Sequence, residues 1–271
     1  MYYNIENSFS KVHKTPQPKV EVKKEGNIIE VKRKKTEITI PKGITQESEK
    51  EFLKMATSDK FILSIGNKGT GKSFTLLHFL KLAFDNDWYD CYFLVLPMYQ
   101  HEAASSYDFI KEHKNKKIYV YNEWDSEIIL NQVMDKPPGE KKFISFDDST
   151  CHFNSYAYDP ILTKFLATLR HWTCTMWVIT HTIRKSLPTA MRALIDGLLV
   201  YNTSSRMSLQ VVYEEYLSIL FDTFNQFLTY YKKHVLYSTP YNGLFINIRM
   251  NDKVYENINS WNMVKDKNNL L

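Results

Sequence analysis

The residues whose chemistry is easiest to interpret form one unbroken run, Gly66-Asn67-Lys68-Gly69-Thr70-Gly71-Lys72-Ser73, followed by Phe74. The run fits the pattern G-x-x-x-x-G-K-[ST] of a phosphate-binding loop. Glycines let backbone N–H groups curl around phosphate oxygens, and a helix that begins at Lys72 directs its positive end at them. We expect these nine residues to bind a nucleoside triphosphate. Lys72 would reach the β- and γ-phosphates, and Ser73 would bind Mg²⁺ through its hydroxyl. Lys68 either lies near the γ-phosphate or points to solvent.

Two adjacent acids, Asp147 and Asp148, follow the apolar segment KFISF at 142–146. Ligands bind at the carboxyl ends of strands in open α/β sheets. We therefore expect Asp147 to hold Mg²⁺ as the Walker B acid, and Asp148 to orient or deprotonate the attacking water. The alternative is that the pair only caps the next helix. ATP is favoured as the nucleotide because no guanine-reading N/T-K-x-D motif occurs in the sequence.

A third polar position, His181, follows the apolar segment CTMWVIT at 174–180. In P-loop ATPases with an extra strand between the P-loop strand and the Walker B strand, a polar residue at this point senses the γ-phosphate. His181 is the candidate for that role, and a purely structural histidine is the alternative. Arg170, Arg184 and Arg192 are candidates for a guanidinium that stabilises transition-state charge from a neighbouring subunit, unless they are surface residues.

The elements that must position these residues alternate along the chain. Apolar strands are predicted at 61–65, 91–96, 117–121, 142–146, 174–180, 198–202 and 244–250. Helices are predicted at 45–57 with Thr45 as N-cap, and at 72–85, 101–114, 124–136, 160–170, 188–196 and most of 206–234. Alternation of strands and helices indicates a mainly parallel sheet covered on both faces. The predicted fold class is α/β, a P-loop NTPase of the ASCE, RecA-like type.

Three domains or segments are predicted: a basic arm or hairpin at 1–45, a P-loop ATPase core at 46–205, and a helical and strand extension at 206–271 packed on the core. Between Lys11 and Lys42 the arm carries ten Lys or Arg and four Glu. It is either a solvated hairpin or flexible arm, or it contacts nucleic acid phosphates or a neighbouring subunit. The aromatic-rich helix of the extension is either core or a subunit interface.

Composition excludes several other classes of protein. The three cysteines, Cys91, Cys151 and Cys174, have no CxxC spacing and are interpreted as reduced intracellular thiols. No apolar run approaches the roughly 18 residues that cross a bilayer, and the N-terminus lacks the apolar core of a signal peptide. We therefore expect an intracellular protein that is neither membrane-bound nor secreted. The net charge of +5 weakly favours an acidic partner.

Residues 61–205 resemble the FtsK–HerA superfamily of DNA-pumping ATPases, and within it the small genome-packaging ATPases of poxviruses, related large DNA viruses and virophages. The resemblance depends on GNKGTGKS, FISFDDST, LRHWTCTMWVITHTIRKSLPTAMRALID and LLVYNTSS, in that order. The segment from Arg170 is its more specific part. By position, Arg170 matches the arginine that family members extend toward the nucleotide of the adjacent subunit.

The resemblance implies an ATPase that uses ATP and Mg²⁺, assembles as a hexameric or pentameric ring, and pulls double-stranded DNA into a capsid. It implies a location in the virion or in the host-cell cytoplasm, and capsid proteins as further candidate partners. Two positions depart from the family pattern: His181 falls where Gln is common, and Asp148 falls where many cellular members have Glu. The alternatives are a replication- or secretion-related P-loop ATPase, and an ATP-binding switch protein with slow hydrolysis.

Overall fold

The computed structural model describes residues 44–45, 49–96, 107–113, 115–148, 159–238, 241–248 and 253–258. The predicted basic arm therefore lies outside the described residues except for its last two positions. Cys151 and the first part of the helix predicted at 101–114 lie outside them as well.

One sheet contains the nine strands of the described residues, in the order β1-β9-β8-β7-β2-β6-β5-β3-β4. The six strands from β7 to β4 run parallel, β8 is antiparallel to β7 and to β9, and β1 is parallel to β9. The predicted mainly parallel α/β sheet is thus confirmed. The strands are β1 Ile44–Thr45, β2 Phe61–Ile65, β3 Cys91–Val95, β4 Lys117–Tyr121, β5 Lys142–Phe146, β6 Cys174–Thr180, β7 Gly197–Val200, β8 Gly243–Asn247 and β9 Lys253–Ile258.

Two apolar cores cover the two faces of the sheet, because successive strand residues point to opposite sides. In β2, Phe61, Leu63 and Ile65 belong to one core, whereas Ile62 belongs to the other. Strand β6 follows the same rule, with Met176 in the first core and Trp177 in the second. Both faces are apolar, which explains why these strands appear in the sequence as continuous apolar runs.

Helices connect the strands, and the helix that follows the phosphate loop has the predicted bounds. They are α1 Glu49–Ala56, α2 Lys72–Asp85, α3 Asp108–Glu112, α4 Ser126–Met134, α5 Pro160–Ala167, α6 Thr189–Arg192, α7 Arg206–Val212 and α8 Phe224–Tyr231. A 3₁₀ turn at Leu169–Trp172 follows α5, and π-helical turns at Tyr213–Leu217 and Lys232–Leu236 follow α7 and α8.

Several predicted boundaries were wrong for identifiable reasons. Thr45 is not an N-cap: it pairs with Tyr255 in the sheet, and α1 begins four residues later. The helix predicted at 188–196 is only four residues long, because Asp196 bonds to Phe61 of β2 instead. The backbone N–H of Asp196 donates to the carbonyl of Phe61, and Oδ2 of Asp196 accepts from the backbone N–H of Phe61. The helix predicted at 160–170 tightens into the 3₁₀ turn after Ala167. Strands β1 and β9 were not predicted.

Candidate nucleotide-binding site

The predicted site residues lie at one edge of the sheet, at the carboxyl ends of three adjacent strands. Strand β6 lies between β2 and β5, so the three ends are neighbours. The loop from Gly66 to Gly71 follows β2, Asp147 and Asp148 follow β5, and His181 follows β6. The extra strand predicted between the P-loop strand and the acidic strand is therefore present.

The loop has the backbone geometry that its glycines permit. Gly69 and Gly71 adopt φ of +74° and +98°, in the region that side chains disfavour. A Cβ on Gly66 would lie 2.8 Å from Cβ of Tyr201, and one on Gly71 would lie 3.0 Å from Cβ of Tyr241. A hydrogen bond of 2.7 Å from Asn67 N–H to the carbonyl of residue 202 ties the loop to the segment after β7. The backbone at Gly66 and Gly71 is thus packed too closely for any larger residue.

Lys72 opens α2 and is 5% exposed. Its ammonium donates hydrogen bonds of 2.8 Å to the carbonyl of Gly66 and 2.7 Å to that of Asn67. Burial lowers the pKa of Lys72 to about 8, and the nearby Asp147 and Asp148 oppose that shift. The positive charge is thus held within the loop, where a phosphate anion would satisfy it better than carbonyl dipoles do.

Asp147 is 4% exposed and receives hydrogen bonds on both carboxylate oxygens. The hydroxyl of Ser73 donates to Oδ1 at 2.8 Å, and the phenol of Tyr107 donates to Oδ2 at 2.8 Å. Burial raises the pKa of the Asp147 carboxyl, and the two hydrogen bonds oppose this effect. Sequence reasoning missed Tyr107, which lies 40 residues before Asp147 in a segment between β3 and β4 with no motif of its own.

The donor set of Ser73 and Asp147 fits Mg²⁺, which prefers hard oxygen ligands. Within the described part of the chain, no group of three or more His, Cys, Asp or Glu side chains could hold a metal ion. A magnesium ion at these two residues would therefore need most of its ligands from water and from substrate phosphates, as is usual for sites that handle nucleoside triphosphates.

His181 links the acidic end of the site to the loop. Its Nδ1 lies 2.9 Å from the carbonyl oxygen of Gly66 and 3.4 Å from the ammonium of Lys72. Its Nε2 lies 3.4 Å from Oδ1 of Asp148. Asp148 is mostly exposed and adopts φ of +49°, an uncommon conformation for a residue with a side chain. Lys72, Asp147, Asp148 and His181, predicted separately from sequence, thus form one group.

A cavity of about 370 Å³ lies beside the loop, lined by residues 69–74 and by Tyr241. Phe74 and Tyr241 are 37% and 47% exposed, respectively. Sequence reasoning missed Tyr241 because it belongs to the segment before β8. That segment reaches the loop only because β8 pairs in antiparallel direction with β7.

The remaining predicted cations, Lys68, Arg170, Arg184 and Arg192, are exposed or paired elsewhere. Lys68 and Arg184 are exposed. Arg170 is exposed in the 3₁₀ turn before β6, and thus at the opposite end of that seven-residue strand from His181. Seven strand residues span about 20 Å, so Arg170 cannot reach the loop of its own chain. Arg192 is occupied by a bidentate pair with Glu215, with nitrogen–oxygen distances of 2.8 to 3.1 Å.

Cys91 and Cys174 are buried free thiols, and burial raises the pKa of Cys91 to about 11. Among the described residues, no helix is both long enough and apolar enough to cross a membrane.

Comparison with solved structures decides the fold. The genome packaging NTPase B204 from Sulfolobus turreted icosahedral virus 2, in complex with ATPγS, superimposes with a TM-score of 0.54 at 13% identity, over 73% of this chain and 96% of that one. The fold is that of a P-loop NTPase. B204, the DNA-packaging ATPase from Sulfolobus turreted icosahedral virus, gives a TM-score of 0.52 at 16% identity, over 75% of this chain and all of that one. The resemblance to packaging ATPases predicted from sequence is thus confirmed as a likeness of fold.

The B204 structure in complex with AMPPCP is similar to this chain to the same degree, with a TM-score of 0.54 at 15% identity over 74% of this chain and 98% of that one. No family model matches the chain, and no curated protein matches it in sequence. The P-loop NTPase fold is therefore established from structure.

Proposed function

We propose that this protein is an ATPase that translocates double-stranded DNA and packages a viral genome into a capsid. The observation that carries the proposal is the fold shared with B204 over nearly the whole of that protein. B204 is a DNA-packaging ATPase and has been seen with ATPγS and AMPPCP. The convergence of Lys72, Ser73, Asp147, Asp148 and His181 supports the same chemistry in this chain.

In the proposed reaction, backbone N–H groups of residues 66–73 and the ammonium of Lys72 bind the β- and γ-phosphates of ATP. Ser73 and Asp147 would hold Mg²⁺, which would supply positive charge against the charge that develops on the phosphates. Asp148 orients or deprotonates the attacking water, since its exposed carboxylate adjoins the Mg²⁺ ligand. His181 contacts both the loop carbonyl and Asp148, which suits a residue that senses the γ-phosphate.

The position of Arg170 favours a ring of identical subunits. Because Arg170 lies at the end of β6 away from its own loop, its guanidinium serves a nucleotide only if that nucleotide belongs to a neighbouring subunit. Arg192 is a poor candidate for this role, since its pair with Glu215 occupies the guanidinium. The proposal also includes ring assembly, contact of the basic segment at 1–45 with DNA phosphates, and capsid partners. It further includes a location in the virion or the host-cell cytoplasm.

The test of the function is Mg²⁺-dependent ATP hydrolysis by the purified protein, with and without linear double-stranded DNA, using Lys72→Ala as the blank. Strong stimulation by DNA that disappears in Lys72→Ala is expected. Hydrolysis without any response to DNA would instead favour a replication- or secretion-related ATPase. Absence of hydrolysis at high protein concentration would favour an ATP-binding switch protein.

The test of the subunit arrangement is complementation between two inactive variants. Lys72→Ala subunits keep Arg170, and Arg170→Ala subunits keep Lys72, so a mixed ring contains some complete sites. Mixing the two should restore part of the hydrolysis. Arg184→Ala is the comparison variant for Arg170→Ala. Arg184 is also exposed, but it follows β6, at the end of the strand where the candidate nucleotide site lies. If Arg170→Ala is fully active, or if mixing restores nothing, Arg170 has no role at a neighbouring site.

A further inference from the structure

The aromatic side chains beside the phosphate loop have no role in the chemistry described above. Phe74 and Tyr241 line the cavity of about 370 Å³ together with loop residues 69–73. A single exposed aromatic ring is ordinary, but here two partly exposed rings line one cavity next to the polar loop. A cavity of this size lies at the lower end of the range that binds small ligands.

Backbone strain accompanies the position of Tyr241. Its φ of +69° lies in the left-handed region, which bulky residues rarely adopt. Its side chain packs directly on the loop, since a Cβ added to Gly71 would lie 3.0 Å from Cβ and 3.3 Å from Cδ1 of Tyr241. Such strain persists where surrounding structure imposes it, and it is concentrated at ligand-binding sites.

The rest of a nucleotide must extend outward from a triphosphate held by the loop. Phe74 lies on the first turn of α2, one residue after Ser73, so its ring borders the exit from the phosphate site. Among the described residues that line the cavity, the polar side chains Thr70, Lys72 and Ser73 belong to the phosphate loop itself. Aromatic faces are therefore the main surface offered to a base, and stacking accepts any base because each has a π face.

We infer that Tyr241 and Phe74 form the nucleobase subsite, and that they hold the base by stacking with little selection between adenine and guanine. This inference rests on the proposed nucleotide-binding function. Tyr241 would make the larger contribution, because its ring lies against the loop at Gly71 and is held there by its backbone. ATP and GTP should bind the unaltered protein with affinities that differ by less than about 10-fold. A hydrogen bond to the base edge that only one of the two nucleotides can make would give a larger difference in affinity.

The experiment measures the binding of MgATP, MgGTP and inorganic tripolyphosphate by competition with a labelled nucleotide. Base stacking contributes about 1–3 kcal/mol, so Tyr241→Ala should weaken ATP and GTP about 5- to 150-fold and leave tripolyphosphate unchanged. Tyr241→Phe keeps the ring and should bind like the unaltered protein. Tyr241→Gly relieves the backbone strain and should lose the same affinity as Tyr241→Ala. This second variant distinguishes loss of the aromatic ring from a failure of Tyr241→Ala to fold.

Tyr237→Ala is the matched control, because Tyr237 is 78% exposed four residues earlier and does not line the cavity. The inference is overturned if Tyr241→Ala weakens tripolyphosphate as much as ATP, if Tyr237→Ala has the same effect, or if GTP binds far more weakly than ATP. Equal affinity of the unaltered protein for tripolyphosphate and ATP would also overturn it while leaving the phosphate site intact. Binding of neither ligand would reject the proposed function itself.

Discussion

Replacing Tyr107 by Phe removes a single hydroxyl from the candidate magnesium site. Tyr107 is 8% exposed, and its phenol donates a 2.8 Å hydrogen bond to Oδ2 of the buried Asp147. Loss of a hydrogen-bond partner that orients a metal ligand typically weakens metal binding by about 10- to 100-fold. If the phenol orients the carboxylate for Mg²⁺, the Mg²⁺ concentration for half-maximal hydrolysis should rise by at least about 10-fold.

The assay is ATP hydrolysis as a function of free Mg²⁺ at saturating ATP, for Tyr107→Phe and for a control. Tyr92→Phe removes the same hydroxyl from another buried tyrosine, whose phenol donates at 2.9 Å to the carbonyl of Ala83, away from the site. Both variants should lose stability, but only Tyr107→Phe should shift the Mg²⁺ dependence, and excess Mg²⁺ should restore most of its maximal rate. An unchanged Mg²⁺ dependence in Tyr107→Phe would refute the positioning role.

Three further substitutions test packing and local structure. Lys142→Met should lower the free energy of unfolding in urea by about 3 kcal/mol, because the fully buried ammonium bonds three backbone carbonyls that would lose their partner. Asp125→Ala should cost about 1 kcal/mol in the same assay, since its side chain caps α4; no loss would show that the cap is not formed. Gly66→Ala should weaken nucleotide binding about 10-fold or more, because its Cβ would overlap Tyr201. Gly139→Ala, whose Cβ meets nothing within 4 Å, should bind normally.

The parallel part of the sheet was predictable because both of its faces are buried. Strands β2, β5 and β6 have the boundaries expected from their apolar runs, as does the partly exposed outer strand β4, and α2 begins and ends where its pattern indicates. Strand β9 was not predictable: its sequence KVYENI mixes polar and apolar residues without a regular alternation and resembles a surface segment. It becomes a strand because β8 offers it an unpaired edge, which no local pattern reveals.

The same distinction applies to the site. Lys72, Ser73, Asp147 and His181 could be placed from sequence, since each belongs to a motif or to the end of a clearly apolar strand. Tyr107 and Tyr241 could not, because they come from connecting segments and reach the site only through the tertiary structure. Arg192 shows what sequence position leaves out: its position suited a role in trans, and the structure pairs its guanidinium with Glu215 in the π-helical turn after α7.

The pairing of β1 with β9 also constrains the order in which the protein can fold. Ile44 pairs with Val254, so β1 cannot join the sheet until β9 has been synthesised. Until β8 and β9 are made, β7 presents an open edge to other nascent chains. Pairings of such large sequence separation form slowly. Truncations that remove β8 and β9 should therefore lower the yield of soluble protein more than changes at the N-terminal segment do.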